Sequence, residues 1–370
     1  MRSGLDKNPE KRLADLDEAV RLAPKNAAAV RTRGLVLADA KKYDRALADL
    51  DKSIELAPDH LPGYEAKALV LVAAGKRDEA LKTLDELGKK KPGLVFPWVQ
   101  KAKIHVGQKD FKAALADLDK ALKIAPTNGS VLLIRAGIHQ EMDEKEKALA
   151  DVDKALKLRP GWPAAVRVRS MLLADSGKVS EAIAEMEKLR ESQPKDLLAL
   201  LQLALLYTNE KKYDKAVRAY TEILDAAPES WAALRGRGDA FLNDGKQAKA
   251  IADYEKAVKL KPDEPGILNN LAWVLATSPK KTLRDGRRAV ELATKACELT
   301  DYKQAHILST LASAHAETGD FDAAMKWVQK GVEISEGDVK EHLAKELKSY
   351  EQRKPWRELL KNGEPADDKD

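Results

Sequence analysis

Proline returns every 34 residues along most of this chain. A period between 20 and 50 residues is typical of supersecondary units that stack side by side and share one continuous core. The eight prolines in register are Pro24, Pro58, Pro92, Pro126, Pro160, Pro194, Pro228 and Pro262. We number each unit so that its proline is position 32, which makes Ala27 position 1 of the first full unit. The chain is therefore expected to fold as a repeat array.

Three further positions repeat with the prolines. Position 20 is alanine in all seven regular units, and position 8 is alanine, glycine or serine, whereas position 24 is large. Within each unit, apolar residues recur at spacings of three and four, which is helical periodicity. We therefore predict two antiparallel helices per unit, helix A at positions 1–14 and helix B at positions 17–31. Small residues let the two backbones approach, and the proline ends helix B.

Composition narrows the class of protein. The 370 residues carry 34% charged side chains with a net charge of only +5, and aromatic residues make up 5%. The single cysteine, Cys297, excludes an internal disulfide framework and a multi-cysteine zinc site. The longest apolar stretch, residues 197–207, is too short to span a bilayer, and the N-terminus lacks the apolar core of a secretory signal. We expect a cytoplasmic chain without a membrane partner.

The repeat resembles the tetratricopeptide repeat (TPR) family, whose signature has small residues at positions 8 and 20 and proline at position 32. The resemblance covers about 330 of the 370 residues. It implies an all-α fold, a right-handed solenoid of antiparallel helix pairs, of the kind found in bacterial proteins with many such repeats.

The repeat divides the chain into four segments. Residues 1–26 match helix B alone and form a leading half-repeat, and residues 27–264 form seven regular units. Residues 265–338 hold two divergent units, the first with an inter-helix turn lengthened by five residues. Residues 339–370 are predicted to be a terminal helix over residues 339–360, broken by Pro355, and a polar tail. Because no helix A precedes the half-repeat, we expect that the chain is a piece of a longer protein or that this end docks onto another surface.

A charge pattern connects the two helices of a unit. Position 7 is basic and position 23 acidic in five of the seven regular units. In the unit where position 7 is Leu203, position 23 is Ala219, so the base and the acid are lost together. Only one unit has a base without an acid, with Lys67 at position 7 and Thr83 at position 23. We predict a half-buried, structural salt bridge from helix A to helix B. The predicted pairs are Arg33 with Asp49, Lys101 with Asp117, Arg135 with Asp151, Arg169 with Glu185, and Arg237 with Asp253.

The sequence contains no P-loop, no H-E-x-x-H zinc motif and no G-x-S-x-G nucleophile motif. His105 and His139 share position 11, but the pattern supplies no further metal ligands, so we interpret them as packing residues. We therefore predict no enzyme activity, no metal and no cofactor. Five basic residues surround the inserted turn and are interpreted as a solvated loop, with an anion contact as the alternative: Lys280, Lys281, Arg284, Arg287 and Arg288.

In the TPR family, helix A lines a concave groove, chiefly through positions 2, 5, 9 and 12. Carried over by position, the predicted peptide-binding residues are Arg31, Phe96, Val99, Lys103, Leu133, Arg167, Leu198, Leu201, Leu205, Arg235, Asn269 and Trp273. They give two apolar floors, one at residues 96–133 and one at residues 198–205, with arginines between and beside them. Such a surface suits a peptide with large apolar anchors and a few carboxylates. The alternative is that these side chains pack against neighbouring helices.

We predict a non-catalytic scaffold or adaptor that binds a protein or peptide ligand in this groove. One alternative is a regulatory or docking arm of a larger multidomain protein. A second is an RNA-binding helical repeat, but the strict 34-residue period and the near-balanced charge argue against a nucleic-acid partner. A homodimer through the N-terminal half-repeat, residues 1–26, stays open.

Overall fold

The computed structural model describes residues 9–357, and the regular structure in that range is helical. None of its helices combines the length and the apolar character needed to cross a bilayer. The helices are α1 (Pro9–Leu22), α2 (Ala27–Asp39), α3 (Tyr43–Leu56), α4 (Leu61–Ala73), α5 (Arg77–Lys90), α6 (Phe96–Gly107), α7 (Phe111–Ile124), α8 (Gly129–Glu141), α9 (Lys145–Leu158), α10 (Pro163–Asp175), α11 (Val179–Ser192), α12 (Leu197–Asn209), α13 (Tyr213–Ala226), α14 (Trp231–Asn243), α15 (Gln247–Leu260), α16 (Pro265–Thr277), α17 (Gly286–Leu299), α18 (Ala305–Glu317), α19 (Phe321–Glu333) and α20 (Gly337–Glu351). The predicted all-α fold is confirmed.

The described residues fall into two compact units, one up to Leu172 and one from Leu173 onward. In the first unit, α2 packs against α3, α4 against α5, α6 against α7, and α8 against α9. In the second, α12 packs against α13, α14 against α15, α16 against α17, and α18 against α19, and α20 covers α18 and α19. Each unit is a stack of helix pairs formed by consecutive helices.

The turn between helix A and helix B has the same conformation in every regular pair. Residues 40–42 form it between α2 and α3, and Lys41 has φ 57°. A left-handed residue just after a helix is a common way to reverse the chain, and a turn this short makes the helices antiparallel. The residues at this position are Lys41, Gly75, Lys109, Asp143, Gly177, Lys211 and Gly245.

Side chains close the start of several helices A, and proline follows the end of helix B. The Asn26 side chain accepts hydrogen bonds from the backbone of Ala28 and Ala29, which satisfies two of the free N–H groups of α2. Asn128, Asp196 and Ser230 cap α8, α12 and α14 in the same way. The helices B end two residues before the periodic proline, because the residue before a proline disfavours helical geometry.

The small residues lie where the helices cross. Every position-20 alanine from Ala46 to Ala250 is fully buried. Where position 24 is the larger Tyr254, position 8 is Gly238, and a Cβ on that glycine would lie 2.6 Å from the tyrosine ring. In this unit the glycine at position 8 therefore leaves room for the Tyr254 ring.

The inserted turn, residues 278–285, corrects one interpretation. It contains a 3-10 turn, Lys281–Leu283, and the side chain of Arg284 is buried. Arg284 Nε donates to Glu317 Oε1 at 3.0 Å, and its Nη1 donates to the carbonyl oxygen of Ser278 at 3.0 Å. Arg288 pairs with Glu255 at 2.7 Å. The interpretation as a solvated loop is wrong for Arg284, because this arginine holds the turn onto α18.

The terminal helix, α20, runs from Gly337 to Glu351 and ends before Pro355, where the sequence predicts a break. Arg357 Nη2 lies 2.6 Å from Glu317 Oε2, and its Nη1 donates to the carbonyl oxygen of Ala276. Residues 358–370, which include Leu360, and residues 1–8 lie outside the described residues.

Candidate functional site

The basic residue at position 7 has two partners, one on each side. Arg135 Nε and Nη2 donate to the two carboxylate oxygens of Asp151 at 2.7 and 2.6 Å. Its Nη1 donates to Asp119, on helix B of the preceding pair, at 2.6 Å. The two acids are sixteen residues after and sixteen residues before the arginine. One guanidinium thus joins its own helix B to the helix B before it.

Other 34-residue repeats show the same arrangement with variations. Arg33 makes the same bidentate contact to Asp49 and a third contact to Asp17, all within 3.0 Å. Arg237 binds Asp253 in the same way, and its third contact is Thr221 Oγ1 at 3.1 Å. All three arginines are half-buried, and fork-to-fork geometry of this kind gives strong, specific hydrogen bonds.

Lys101 departs from the predicted pairing. Its Nζ is 2.6 Å from Asp85, on the preceding helix B, and 3.7 Å from the predicted partner Asp117. A lysine is a single point charge and cannot fork between two carboxylates as an arginine does. Asp117 Oδ2 lies instead 3.0 Å from His105 Nδ1.

Lys67 and Arg169 also reach the preceding helix B. Lys67, for which no partner was predicted, lies 2.6 Å from Asp51. Arg169 Nε lies 2.8 Å from Asp153, and Glu185 is on α11 in the second unit. The sequence prediction missed this whole set of acids, although position 25 is acidic at the 34-residue period: Asp17, Asp51, Asp85, Asp119, Asp153, Glu187 and Glu255.

The predicted apolar floor of the second unit lies on α12. Leu198 and Leu205 are 63% and 50% exposed, and Leu201 between them is half-buried. The opposite face of α12 is also apolar and is buried, for example through Leu200 and Leu203. A helix that is apolar on its exposed face as well as on its core face marks a surface that a partner can cover.

The predicted floor of the first unit is mostly packed. Phe96 packs against the core of α2 to α6, and Val99 and Leu133 pack against the core around α7. All three are half-buried, so much of the surface of these side chains packs against neighbouring helices, as in the alternative interpretation. The open apolar surface of this unit is instead a cleft of about 210 Å³ between α4 and α6, lined by Leu69, Val72, Ile104 and the predicted Lys103.

The predicted arginines already have neighbours. Arg31 Nη1 lies 3.0 Å from His60 Nε2, and Arg235 Nε lies 3.8 Å from Asp239 Oδ2. Arg167 lies half-buried on α10. A carboxylate ligand at Arg31 or Arg235 would have to compete with these contacts.

A cleft of about 800 Å³ lies in the second unit. Helix A of four successive pairs, α12, α14, α16 and α18, contributes to it, and the start of α20 forms a further wall. Asn269 and Trp273, both predicted groove residues, line it. His306, Val339 and His342 line it as well and were not predicted. His306 is at position 2 of the last unit, and Val339 and His342 are on α20, which lies outside the 34-residue repeat.

A row of polar side chains fixes the orientation of Asn269. Tyr254 Oη and Asn270 Nδ2 donate to Asp239 Oδ1 at 2.7 and 2.8 Å. Since the Asn270 amide nitrogen faces the carboxylate, its oxygen is left to accept from Asn269 Nδ2, at 3.2 Å. Asn269 is only 9% exposed, and its Oδ1 has no hydrogen-bond partner among the described residues. Asn269 Oδ1 is therefore a buried acceptor without a hydrogen-bond partner among the described residues.

The two histidines of the cleft differ electrostatically. Burial lowers the pKa of His306 below its usual 6.5, which keeps this imidazole neutral at physiological pH. A hydrogen bond to Glu346 raises the pKa of His342, whose Nε2 is 3.1 Å from the carboxylate. Glu346 is buried and also accepts from Ser309 Oγ at 2.8 Å. The hydrogen bond from Ser309 on α18 to Glu346 on α20 joins the two helices and so holds the wall of the cleft in place.

Two further candidates contact protein groups. His139 Nδ1 lies 2.6 Å from Glu144, and Cys297 is fully buried, which raises the pKa of its thiol to about 12. Within residues 9–357 no group of three or more His, Cys, Asp or Glu side chains is placed to hold a metal ion.

Comparison with solved structures gives relatives of the fold. The C-terminal part of a TPR protein from Cytophaga hutchinsonii is 18% identical with a TM-score of 0.52, and the match covers 65% of this chain and 96% of that one. Yeast Tom70 is 17% identical with a TM-score of 0.51, over 93% and 86% of the two chains. MamA of Desulfovibrio magneticus RS-1 is 21% identical over 47% and 96%, with a TM-score of 0.42. A comparison with curated protein sequences found no match.

Three family models match the sequence, and all three describe the tetratricopeptide repeat. The first matches residues 13–60, 167–217 and 201–265, the second residues 37–96, and the third residues 97–128 and 305–338. Together they cover well over half of the chain, and the helix pairs described above have the 34-residue period of that repeat. The chain belongs to the tetratricopeptide repeat family.

Proposed function

We propose that this chain is a scaffold that binds a segment of a partner protein along the exposed face of its helices A. Repeat arrays of this family use extended concave surfaces for binding, and such arrays are typically not catalytic. The observation that carries the proposal is α12, where Leu198 and Leu205 stand exposed opposite a fully apolar core face. Isolated exposed leucines need no explanation, but a continuous apolar helix face does.

The first unit supports the same function. Its cleft between α4 and α6 combines apolar walls, Leu69 and Val72, with one acid and one base, Glu65 and Lys103. Apolar pockets with a few polar groups at their edge are the usual form of a peptide-binding surface. The arginines beside the helix A face fit the few carboxylates that the sequence predicted for the ligand.

Selection from a random peptide library displayed on phage tests the proposal. The full chain should enrich peptides with large apolar residues, and the double variant Leu198→Asp/Leu205→Asp should weaken their binding about tenfold or more, since it places two charges on the apolar face. Leu260→Asp, at the exposed end of α15, is the matched control and should leave binding unchanged. Failure to enrich any peptide, or equal binding by the double variant, contradicts the proposal.

A further inference from the structure

Helix α20 buries a carboxylate where it meets α18. The Glu346 side chain is fully buried, and its two oxygens accept from Ser309 Oγ at 2.8 and 2.9 Å. His342, one turn earlier on α20, places its Nε2 3.1 Å from the same carboxylate. Among the described residues, His342 is the one basic side chain in contact with Glu346. A buried carboxylate with a single cationic partner depends strongly on that partner, because a buried charge left without one is costly.

The other basic side chains near this pair do not replace His342. Arg357, on the segment that follows α20, lies 2.6 Å from Glu317 Oε2. The hydrogen bond to the buried carboxylate raises the pKa of His342, and the weaker repulsion from Lys345 opposes that shift. On α18, His306 is neutral at physiological pH because burial lowers its pKa. The charge of the carboxylate is therefore balanced by His342 when this imidazole is protonated.

Uncharged groups complete the surroundings of the pair. Helix α19 faces α20 with apolar contacts, since a Cβ on Gly331 would lie 3.2 Å from Leu343. The ring of Trp356 stands edge-on to His342, with 5.4 Å between the ring centroids. Burial raises the pKa of Tyr350 well above its usual 10, so this phenol does not titrate together with the histidine. A change of pH near neutrality therefore acts on α20 through His342.

The two halves of α20 are held in different ways. The first half lines the cleft of about 800 Å³ through Asp338, Val339 and His342. Its N-cap residue, Glu336, makes no side-chain capping hydrogen bond. The second half is anchored by Tyr350, which is fully buried and hydrogen-bonded to a serine of α18 at 2.9 Å. Loss of the ion pair would thus loosen the wall of the cleft and leave the end of the helix attached.

The pair links the docking of α20 to one proton. Because the pKa of His342 is raised above 6.5 by its contact with Glu346, the docked helix binds the proton more tightly than a released helix does. The stabilisation is therefore complete below 6.5 and is lost as the pH rises through the higher, docked value. At alkaline pH the Glu346 charge stays buried without a counterion, which favours release.

We propose that His342 and Glu346 form a proton-dependent latch: protonated His342 holds the first half of α20 against α18, and loss of the proton loosens this wall of the cleft. The latch makes the cleft of the second unit more open above neutral pH than below it. The inference goes beyond the scaffold function and does not depend on it, because α20 itself supplies the readout.

Hydrogen–deuterium exchange of α20 near pH 5.5 and near pH 8.5 tests the latch. After correction for intrinsic exchange rates, the amides of residues 341–346 should open about threefold more often at the higher pH, the effect expected of a half-exposed ion pair. The amides of residues 347–351 and of α14 and α15 are the internal reference, and their opening should not change.

Two substitutions should act in opposite directions. His342→Gln keeps a hydrogen-bond donor without a charge, so residues 341–346 should open at both pH values as often as in the unmodified chain near pH 8.5. Glu346→Gln removes the buried charge at nearly constant size, so these residues should stay as protected as in the unmodified chain near pH 5.5. His306→Gln, at the other histidine of the cleft, is the matched control and should keep the pH dependence.

A nuclear magnetic resonance titration follows the proton itself. The His342 imidazole should titrate above 6.5 in the unmodified chain and at 6.5 or below in Glu346→Gln, where only the repulsion from Lys345 and partial burial remain. Thermal unfolding followed by circular dichroism verifies that each variant is folded.

Three results would contradict the latch. Equal exchange of residues 341–346 at the two pH values overturns it, as does a pH dependence that persists in His342→Gln. Loss of the pH dependence in His306→Gln overturns the assignment of the proton to His342. A response that includes residues 347–351 overturns the division of α20 into a loosened half and an anchored half.

Discussion

The pair α8 and α9 and the pair α12 and α13 solve the same packing problem with opposite chemistry. In the first pair, Arg135 on helix A binds Asp151 on helix B through two hydrogen bonds. In the second, the equivalent positions hold Leu203 and Ala219, both buried. The helices have the same lengths and the same turn in both pairs. The helix crossing therefore requires that this site be filled, and a salt bridge is one of two ways to fill it.

Glu187, on α11 next to the apolar pair, binds other partners in place of a basic residue at position 7. Glu187, at the position equivalent to Asp119, has no guanidinium to meet, because its neighbour is Leu203. Tyr207 Oη donates to it, and Lys215 Nζ lies 3.3 Å away. The hydrogen bond from Tyr207 lowers the pKa of Glu187 below its usual 4.5. The comparison shows that each acid at position 25 is satisfied even where the base is missing.

The largest effect is expected from Arg135→Leu. The substitution leaves Asp151, whose side chain is 7% exposed, as a buried charge without its partner, which costs about 3–5 kcal/mol. Urea unfolding should show the loss in the free energy of unfolding. Arg218→Leu, at an exposed position of α13, is the control and should change it by less than about 0.5 kcal/mol. A loss below about 1 kcal/mol for Arg135→Leu would contradict the picture of a buried pair.

The double variant Arg135→Leu/Asp151→Ala transfers the α12–α13 solution to α8 and α9. Both buried charges disappear together, and Asp119, whose side chain is 56% exposed, returns to water. We expect a free energy of unfolding within about 1.5 kcal/mol of the unmodified chain, well above that of Arg135→Leu alone. If the double variant is as unstable as the single one, the two solutions are not interchangeable.

Tyr207→Phe probes the leftover acid. Because the pKa of Glu187 is lowered in the folded chain, its contribution is present above the usual 4.5 and is lost as the pH falls through the lower, folded value. We expect a loss of about 1 kcal/mol or less near pH 7, since Glu187 is partly exposed, and a difference that shrinks as the pH falls below 4.5. A difference that grows toward low pH would have the wrong sign.

Lys67→Ala should have the smallest effect. Its unit has Thr83 in place of the acid on its own helix B, so only Asp51 pairs with this lysine, and that carboxylate is half-exposed. An exposed pair contributes about 0.5 kcal/mol or less, and the contribution falls in high salt. Unfolding measured at low and high ionic strength checks this. A loss comparable to that of Arg135→Leu would show that a strong pair does not require an acid on the helix B of the same repeat.

The period predicted the fold because each signal was local and repeated. Pro58 follows the end of α3 and Ala46 marks the crossing of α2 and α3, and both residue types recur 34 residues later with the same role. The segment boundaries of the regular units and the leading half-repeat remain predictions about domain organisation. Outside the repeat, α20 ends at Glu351, before Pro355, because a proline cannot continue a helix.

The candidate site was less accessible from sequence. The positions that line the groove in this family include Asn269 and Trp273, but the same rule named Phe96, Val99 and Leu133, which pack against the core. Helix periodicity tells which face a residue is on but not how closely the next helix approaches it. Arg284 was interpreted as a loop residue for the same reason, since Glu317, its partner, is 33 residues away.

The sequence by itself determined the secondary structure, the pairing of helices and one partner of Arg33, Arg135 and Arg237, because these depend on neighbours within a single 34-residue unit. The tertiary structure decided which acids of the preceding unit complete each pair, which apolar side chains remain exposed, and that α20 forms a wall of the cleft in the second unit. The physical reason is that these features depend on contacts between units, where the distance of approach and the orientation of a side chain are set by packing.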